Sequence, residues 1–464
     1  MVHAASRAGP VSVPFVATCE IQPSLSFAMN STPNISPAPV PPPASSRLDY
    51  LDATRAFALL LGIVFHASLS FMPTFIGWAV QDVSTSPLVG MFFTVSHTFR
   101  METFFLLAGF LGQVTFHRKG AGAFVRSRYF RIVVPFVVGW PILRPLLVSG
   151  WIMGAASLRG DYSFWAGLRG GFQSMGNLQA GIFTGTHLWF LYYLALVIGL
   201  TLVLRGLARS TGARYAGMLR CADTLVSWLA RSPLALPVLL VPTAVALWFM
   251  RYWGMDTPDQ GMMPEIPVLA VYGGFYVLGW LLGRQRGLLT PLARLTPLRW
   301  ILAAAGIAAI QYLGRFQFEL SEPHYNALRG AYALGYALTM WTLVLLTIGV
   351  FQRFCAQPRP AVRYLADSSY WLYLVHLPIV IWLQVAVAAA PVHWSLKLAG
   401  ITAVTLAVAL LSYDLLVRST WVGQLLNGTR RDRTLSRLVG HLTRQWHGRK
   451  LNAQPIPEAK PIGE

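Results

Sequence analysis

Nine stretches of this chain are mostly apolar and approach the length needed to cross a bilayer: Ala56–Met72, Leu88–Phe116, His187–Leu204, Leu234–Phe249, Ile266–Leu282, Trp300–Leu313, Ala331–Val350, Trp371–Ala390 and Leu396–Val417. A helix rises 1.5 Å per residue, so about 20 residues match a hydrocarbon core about 30 Å thick. A tenth stretch, Ile132–Met153, has the same character but is interrupted by Pro135, Pro141, Arg144 and Pro145. The expected fold is all-α: a polytopic integral membrane protein with about ten transmembrane helices. Composition agrees. Only 12% of the 464 residues are charged and 55% are hydrophobic, whereas a soluble domain carries about 25% charged residues. Lipid must therefore solvate much of the outside.

The net charge of +20 raises the question of a nucleic-acid partner, and its distribution answers it. The connections after the second, fourth, sixth and eighth spans hold five, five, four and three Lys or Arg. Those after the first, third, fifth, seventh and ninth hold zero, two, one, two and one, the last being Lys397 at the edge of the tenth span. This alternation is the positive-inside pattern, and it puts both termini in the cytoplasm. The charge is a topology signal, and no nucleic-acid partner is expected. Membrane lipids are the expected partner of the basic residues Arg430, Arg431, Arg433, Arg437, Arg444, Arg449 and Lys450. Cys19, Cys221 and Cys355 fall in the N-terminal segment or in expected cytoplasmic loops, where disulfides are rare, and no CxxC pair supports a metal or redox site.

Three regions follow. Residues 1–46 form a disordered segment rich in Pro, Ser and Ala, extended through Pro37–Pro43, with no cleavable signal peptide and with Met29 as an alternative start. Residues 47–420 are the membrane domain, and 421–464 a basic cytoplasmic tail. The longest expected outer connection, Trp151–Thr186, holds Tyr162, Phe164, Trp165, Phe172 and Gln173. It reads either as a lid or acceptor platform or as an interfacial helix anchored by aromatic rings.

Ionisable residues inside a bilayer cost several kcal/mol unless paired or facing a cavity, so they are the functional candidates. Arg55 and His66 share the opening span eleven residues apart, about three turns and about 16 Å, with Arg55 at the cytoplasmic rim and His66 near the bilayer middle. That geometry suits an elongated anion with phosphates at Arg55 and its reactive end at His66, the shape of a coenzyme A thioester. Equally, Arg55 is a topology charge and His66 a hydrogen-bonded helix contact. The second span adds His97 and Arg100, i,i+3 neighbours on one face, with Glu102 close behind. These are either catalytic or an ion-pair network bracing helices. His187 beside Trp189, His376 in the ninth span, Arg144 in the third, and Arg128 and Arg131 at its cytoplasmic mouth complete the set. Each of these alone has a structural reading.

Five stretches in order resemble the acyltransferase-3 membrane family, and within it the branch that succinylates periplasmic glucans. They are Leu51-Asp52-Ala-Thr-Arg55 through Gly62 and His66; His97-Thr-Phe-Arg100-Met101; Arg128-x-x-Arg131-x-x-x-Pro135; His187-Leu-Trp-Phe-Leu191; and Tyr373-Leu-Val-His376-x-Pro378. The run Phe104–Phe110 is also similar, with Ala108 where many members have Ser. The resemblance implies a ten-span protein of the bacterial inner membrane that moves an acyl group, acetyl or succinyl, from a cytoplasmic acyl-CoA to a hydroxyl of a glucan or other carbohydrate outside. Acyl-CoA enters as donor substrate, and no cofactor is bound permanently.

Roles follow from residue chemistry within that frame. His66 is the candidate general base. Arg100, with His97, is the candidate stabiliser of the thioester oxyanion, and Glu102 orients one of them. Arg55, Arg128 and Arg131 are the candidate donor-phosphate ligands. His187, Trp189 and His376 are candidate substrate-binding residues. No Ser or Cys has an evident His partner, which argues against an acyl-enzyme on either, though an acyl-histidine remains open. The rival readings are a transporter or flippase of a small anionic or glycan-linked substrate, which uses buried charge on broken helices in the same way, and a non-catalytic membrane scaffold.

Overall fold

The apolar runs fold as helices in a computed structural model that describes residues 48–176, 187–259 and 261–434. The N-terminal segment 1–46 with Cys19, the end of the Trp151–Thr186 connection, and the tail beyond residue 434 lie outside the described residues. Helix α1 (Asp49–Ser68) has Asp49 and Asp52 in its first turn, where they complement the helix dipole, and a 3₁₀ turn extends it to Phe71. After an irregular segment, α2 (Pro87–His97) starts on a Ser86 cap, whose hydroxyl accepts from the Leu88 N–H, with Pro87 in the first position. Then come α3 (Arg100–Lys119), α4 (Ala121–Arg128), α5 (Val134–Ser157) and α6 (Phe164–Gln173). The second half contains α7 (Trp189–Ser210), α8 (Ala213–Arg231), α9 (Ala235–Trp248), α10 (Ile266–Arg284), the short α11 (Leu289–Leu292), α12 (Pro297–Leu313), α13 (Tyr325–Phe354), α14 (Pro360–Val387), α15 (Trp394–Ser412) and α16 (Trp421–Asn427). No strand occurs among the described residues.

Among the described residues, seven segments are long and apolar enough to cross a membrane, and nine if each of two bent pairs is one span: α8 with α9, bent by 111°, and Arg286–Leu292 with Pro297–Phe316, bent by 70°. The fold is the expected all-helical, multi-pass one. The count falls short of ten at Leu88–Phe116, which is not one helix. α2 stops at His97, α3 starts at Arg100, and α3 carries Arg100 and Glu102 at one end and His117, Arg118 and Lys119 at the other. A helix enclosed by other helices needs no lipid-compatible surface. α3 packs against α1, α10 and α13, and its Phe105, Leu106, Leu107 and Phe110 are buried.

The expected interruption of Ile132–Met153 is also corrected. Helix runs from Ala121 to Ser157 through one π turn at Tyr129–Val133, and Pro141 and Pro145 lie inside α5. Pro135 has no N–H to offer the Arg131 carbonyl four residues earlier, and that carbonyl accepts the Tyr370 hydroxyl at 2.7 Å.

Small residues set the packing. α3 and α10 run parallel and so close that a Cβ on Gly109 would strike the Tyr276 carbonyl, and one on Gly279 the Leu106 carbonyl. Phe105 stacks on Tyr272 at 4.5 Å along the same seam. α14 lies parallel to α1, and α13 antiparallel to α9, where Trp341 Nε1 donates to Thr243 Oγ1 at 2.9 Å.

One feature corrects the charge count. Lys397 is not a loop charge: its Nζ meets Asp82 Oδ1 and Oδ2 at 2.7 and 2.9 Å, and both side chains are at most 3% exposed. The pair ties residues 72–86 to the start of α15. That irregular segment buries Ala79 and Val80 against Leu147, Met153, Leu377 and Ile381, and a Cβ on Gly154 would strike the Ala79 carbonyl. Non-helical backbone among membrane helices is tolerated where protein encloses it. The start of the basic tail is folded against the helices: Arg131 Nη2 donates to the Asn427 carbonyl at 2.8 Å, Gly428 follows at φ +78°, and Arg431 pairs with Asp367.

Candidate active site

Because α1 is unbroken, Arg55 and His66 are separated by eleven residues of one helix, about 16 Å. His66 lies in the last turn of α1. Its ring stacks on Trp78 (centroids 6.0 Å apart, 18°) and lies 5.4 Å from that of His376. Its Nδ1 is buried without a hydrogen-bond partner. The carbonyls of His66 and Ala67 both accept from Gln384 Nε2, at 2.9 and 3.0 Å, and Gln384 Oε1 accepts from Trp78 Nε1 at 2.9 Å. One fully buried amide therefore fixes both the end of α1 and the ring above His66.

Sequence reading missed both residues. Gln384 carried a signal, a polar side chain in the middle of a span. Trp78, in the irregular connection, carried none.

His376 Nδ1 faces the carbonyls of Tyr373 and Leu372 at 2.8 and 3.0 Å, so it holds the proton and leaves its lone pair on Nε2. His187 Nε2 donates to the Leu374 carbonyl at 3.1 Å. That carbonyl is free because Pro378, four residues on, lacks the N–H that would otherwise take it. The motif spacing His376-x-Pro378 thus builds the seat for His187, whose ring is 5.4 Å from that of His376. Tyr373 Oη adds a bond to the His187 carbonyl at 2.7 Å. The row His66, His376, His187 is made of imidazoles from three elements. Among the described residues no group of His, Cys, Asp or Glu is arranged to hold a metal.

His97 and Arg100 do not share a helix face as the i,i+3 spacing predicts, because the chain breaks at Thr98–Phe99 between them. They meet instead around Phe65. The Arg100 guanidinium lies 4.1 Å above the Phe65 ring, and His97 is tilted against the same ring at 5.9 Å. A Cβ on Gly62 would be 3.6 Å from Arg100 Cδ, so α1 leaves room for the side chain. Arg100 is buried and its Nη1 has no partner; Glu102 is wholly buried and neither carboxylate oxygen has one. Tyr272 and Tyr336 are within electrostatic reach of both. His97 is held at both nitrogens, Nδ1 by Tyr336 Oη at 3.3 Å and Nε2 by Thr257 Oγ1 at 3.1 Å. Tyr336 and Thr257 were not legible as site residues.

At the other end of α1, Arg55 makes a 3.4 Å contact with Asp52, and Arg128 lies over Phe124 at 5.0 Å with its Nε buried and unpartnered. Arg55, Arg128 and Arg131 are mutual electrostatic neighbours. Trp189 stacks on Tyr272 at 5.8 Å, beside the α3–α10 seam. Arg144 fastens α5 to the end of α6 through Ser174 Oγ at 3.0 Å.

This multi-pass helical protein has a basic cluster at one end of a central helix and unpartnered polar atoms of His66, Arg100 and Glu102 towards the other, an arrangement that a membrane enzyme can use. The chain belongs to the acyltransferase-3 family: residues 48–414 match its acyltransferase domain, and the protein is an acyltransferase. It is similar to Glucans biosynthesis protein C of Escherichia coli K12, 24% identical over 397 residues that cover 84% of this chain and 96% of that protein. Proteins of the same name from Escherichia coli O139:H28 and O9:H4 match with the same identity and coverage. No solved structure matches.

Proposed function

We propose that this acyltransferase carries an acetyl or succinyl group from a cytoplasmic acyl-CoA to a hydroxyl of a glucan or other carbohydrate on the opposite face of a bacterial inner membrane. Both chain termini lie on the cytoplasmic side, and no cofactor is permanently bound. The observation that carries the reading is α1: one unbroken helix with three clustered arginines near its start and His66 in its last turn, about 16 Å apart. The arm of an acyl-CoA bridges such a gap, with its phosphates at Arg55, Arg128 and Arg131 and its thioester beside His66 and Arg100. The name of the relatives supports the carbohydrate acceptor.

The acceptor hydroxyl loses its proton to His66 as its oxygen attacks the thioester carbon. The carbonyl electron pair moves onto oxygen, where the unused Nη1 of Arg100 donates a hydrogen bond. Collapse of that intermediate breaks the C–S bond, and the leaving thiolate takes the proton back from the His66 imidazolium. Glu102 holds Arg100 in place electrostatically, and His376 supports His66 at its flank. The products are a carbohydrate ester and free CoA.

Purified protein given acyl-CoA labelled in its acyl group, a glucan and no ion gradient tests this reading. Label in a glucan ester, with CoA released in equal amount, is expected. Movement of intact substrate across vesicles without acylation would mean a transporter instead.

A further inference from the structure

From His66 outward lie aromatic rings, gathered around one buried cluster, that the chemistry above does not use. Gly77, at φ +75°, turns the irregular segment so that Trp78 covers His66. The Trp78 ring meets that of Trp151, near the end of α5, at 5.3 Å. Trp151 packs in the same cluster as Trp382 and Phe164, whose rings are 5.5 Å apart, and Phe164 meets Trp165 at 5.4 Å. Trp78, Trp151, Trp382 and Phe164 are half-buried, and Trp165 is 75% exposed. The mounting is rigid at both inner positions: Trp78 Nε1 is tied to Gln384, and Trp382 Nε1 donates to Ser149 Oγ at 3.0 Å. α6 is pressed onto α5 through Gly167 and Gly171, where a Cβ would strike Met153 and the Pro145 carbonyl. That close approach delivers Phe164 and Trp165 to these rings.

We infer that these rings form an acceptor track, on which successive sugar rings of an oligosaccharide stack while one hydroxyl reaches His66. The inference rests on the carbohydrate-acceptor reading above and adds where on this chain several sugars of the acceptor bind. The occupant is argued from the contact of Trp78 with His66 and from the match between flat indole faces and the apolar faces of pyranose rings. A lipid-anchoring role for the same rings would need no connection to His66 and no buried indole N–H partners.

Transfer from labelled acyl-CoA to linear glucose oligomers of increasing length, with the full chain in lipid nanodiscs, tests it. The track predicts that kcat/KM climbs with acceptor length and then levels off. It also predicts that Trp165→Ala lowers kcat/KM for the long acceptors about tenfold through KM, so that long and short acceptors become alike, and that Trp165→Tyr restores most of the preference. Length-independent kinetics in the wild type, or a Trp165→Ala protein that keeps its length preference, overturns the track while the carbohydrate reading survives. A wild type that acylates no glucose oligomer of any length overturns both. Trp165 is largely exposed, so its substitution leaves the core intact.

Discussion

Arg100 and Glu102 bring a guanidinium Nη1 and two carboxylate oxygens into the interior without hydrogen-bond partners, each at a cost of about 1–3 kcal/mol or more. Such a cost is kept where the group has work during turnover. Arg100→Met, close in length and without charge, should lower kcat by about 10²–10³, the loss seen when one oxyanion donor is removed, with little change in donor KM; steady-state kinetics over acyl-CoA concentration separates the two. Arg55→Ala should do the reverse, raising donor KM about tenfold with kcat nearly kept. Unchanged donor affinity would remove Arg55 from the phosphate site. At this scale most of the site was legible, because one physical rule, that a buried ionisable side chain needs a reason, picks out Arg55, His66, Arg100 and Glu102. The rule reached Gln384 as well, but an amide was not weighed with the charges. Lys397, counted at the edge of the tenth span, was not seen to be buried, because its partner Asp82 is 315 residues away in the sequence. Nothing local in the sequence marks Trp78.

The helices carry the site through their irregularities. Pro378 leaves the Leu374 carbonyl without its usual N–H, and His187 occupies it. Pro378→Ala restores that N–H. The expected result is a protein as thermostable as the wild type or more so, since a helix interior prefers Ala, but about ten- to a hundredfold slower, because His187 loses its seat and the imidazole row shifts. Melting temperature and turnover measured on the same preparation check both halves. The long apolar helices were legible, since runs of apolar residues with capping Ser and Pro leave little choice, whereas α4 and α8 fall in segments that read as basic connections. The break at Thr98–Phe99 was not legible. No Gly or Pro marks it, and it is imposed by contacts distant in sequence: His97 to Thr257 and Tyr336, Arg100 to Phe65. Pro135, Pro141 and Pro145 had the opposite effect. They read as an interruption, yet the helix absorbs them with one π turn and a hydroxyl from Tyr370.

For the whole molecule, the topology proposed from the arginine alternation would set donor and acceptor on opposite faces of the membrane. Moving Lys397 inside leaves the connection between α14 and α15 without any Lys or Arg, which sharpens the asymmetry. Single-cysteine proteins retaining Cys221 or Cys355 should react with a membrane-impermeant maleimide only after the inner membrane is opened; Cys221 is exposed and Cys355 half-buried. Labelling of either in intact cells would invert the topology and with it the direction of transfer. The central claim, that His66 receives the acceptor proton at the far end of α1 from the arginines, is tested most directly by His66→Ala. The variant is purified, shown to melt like the wild type, and assayed for acyl transfer from labelled acyl-CoA to glucan. The account predicts a loss of at least about a hundredfold in turnover with donor binding retained. A well-folded His66→Ala protein with near-normal turnover would contradict it.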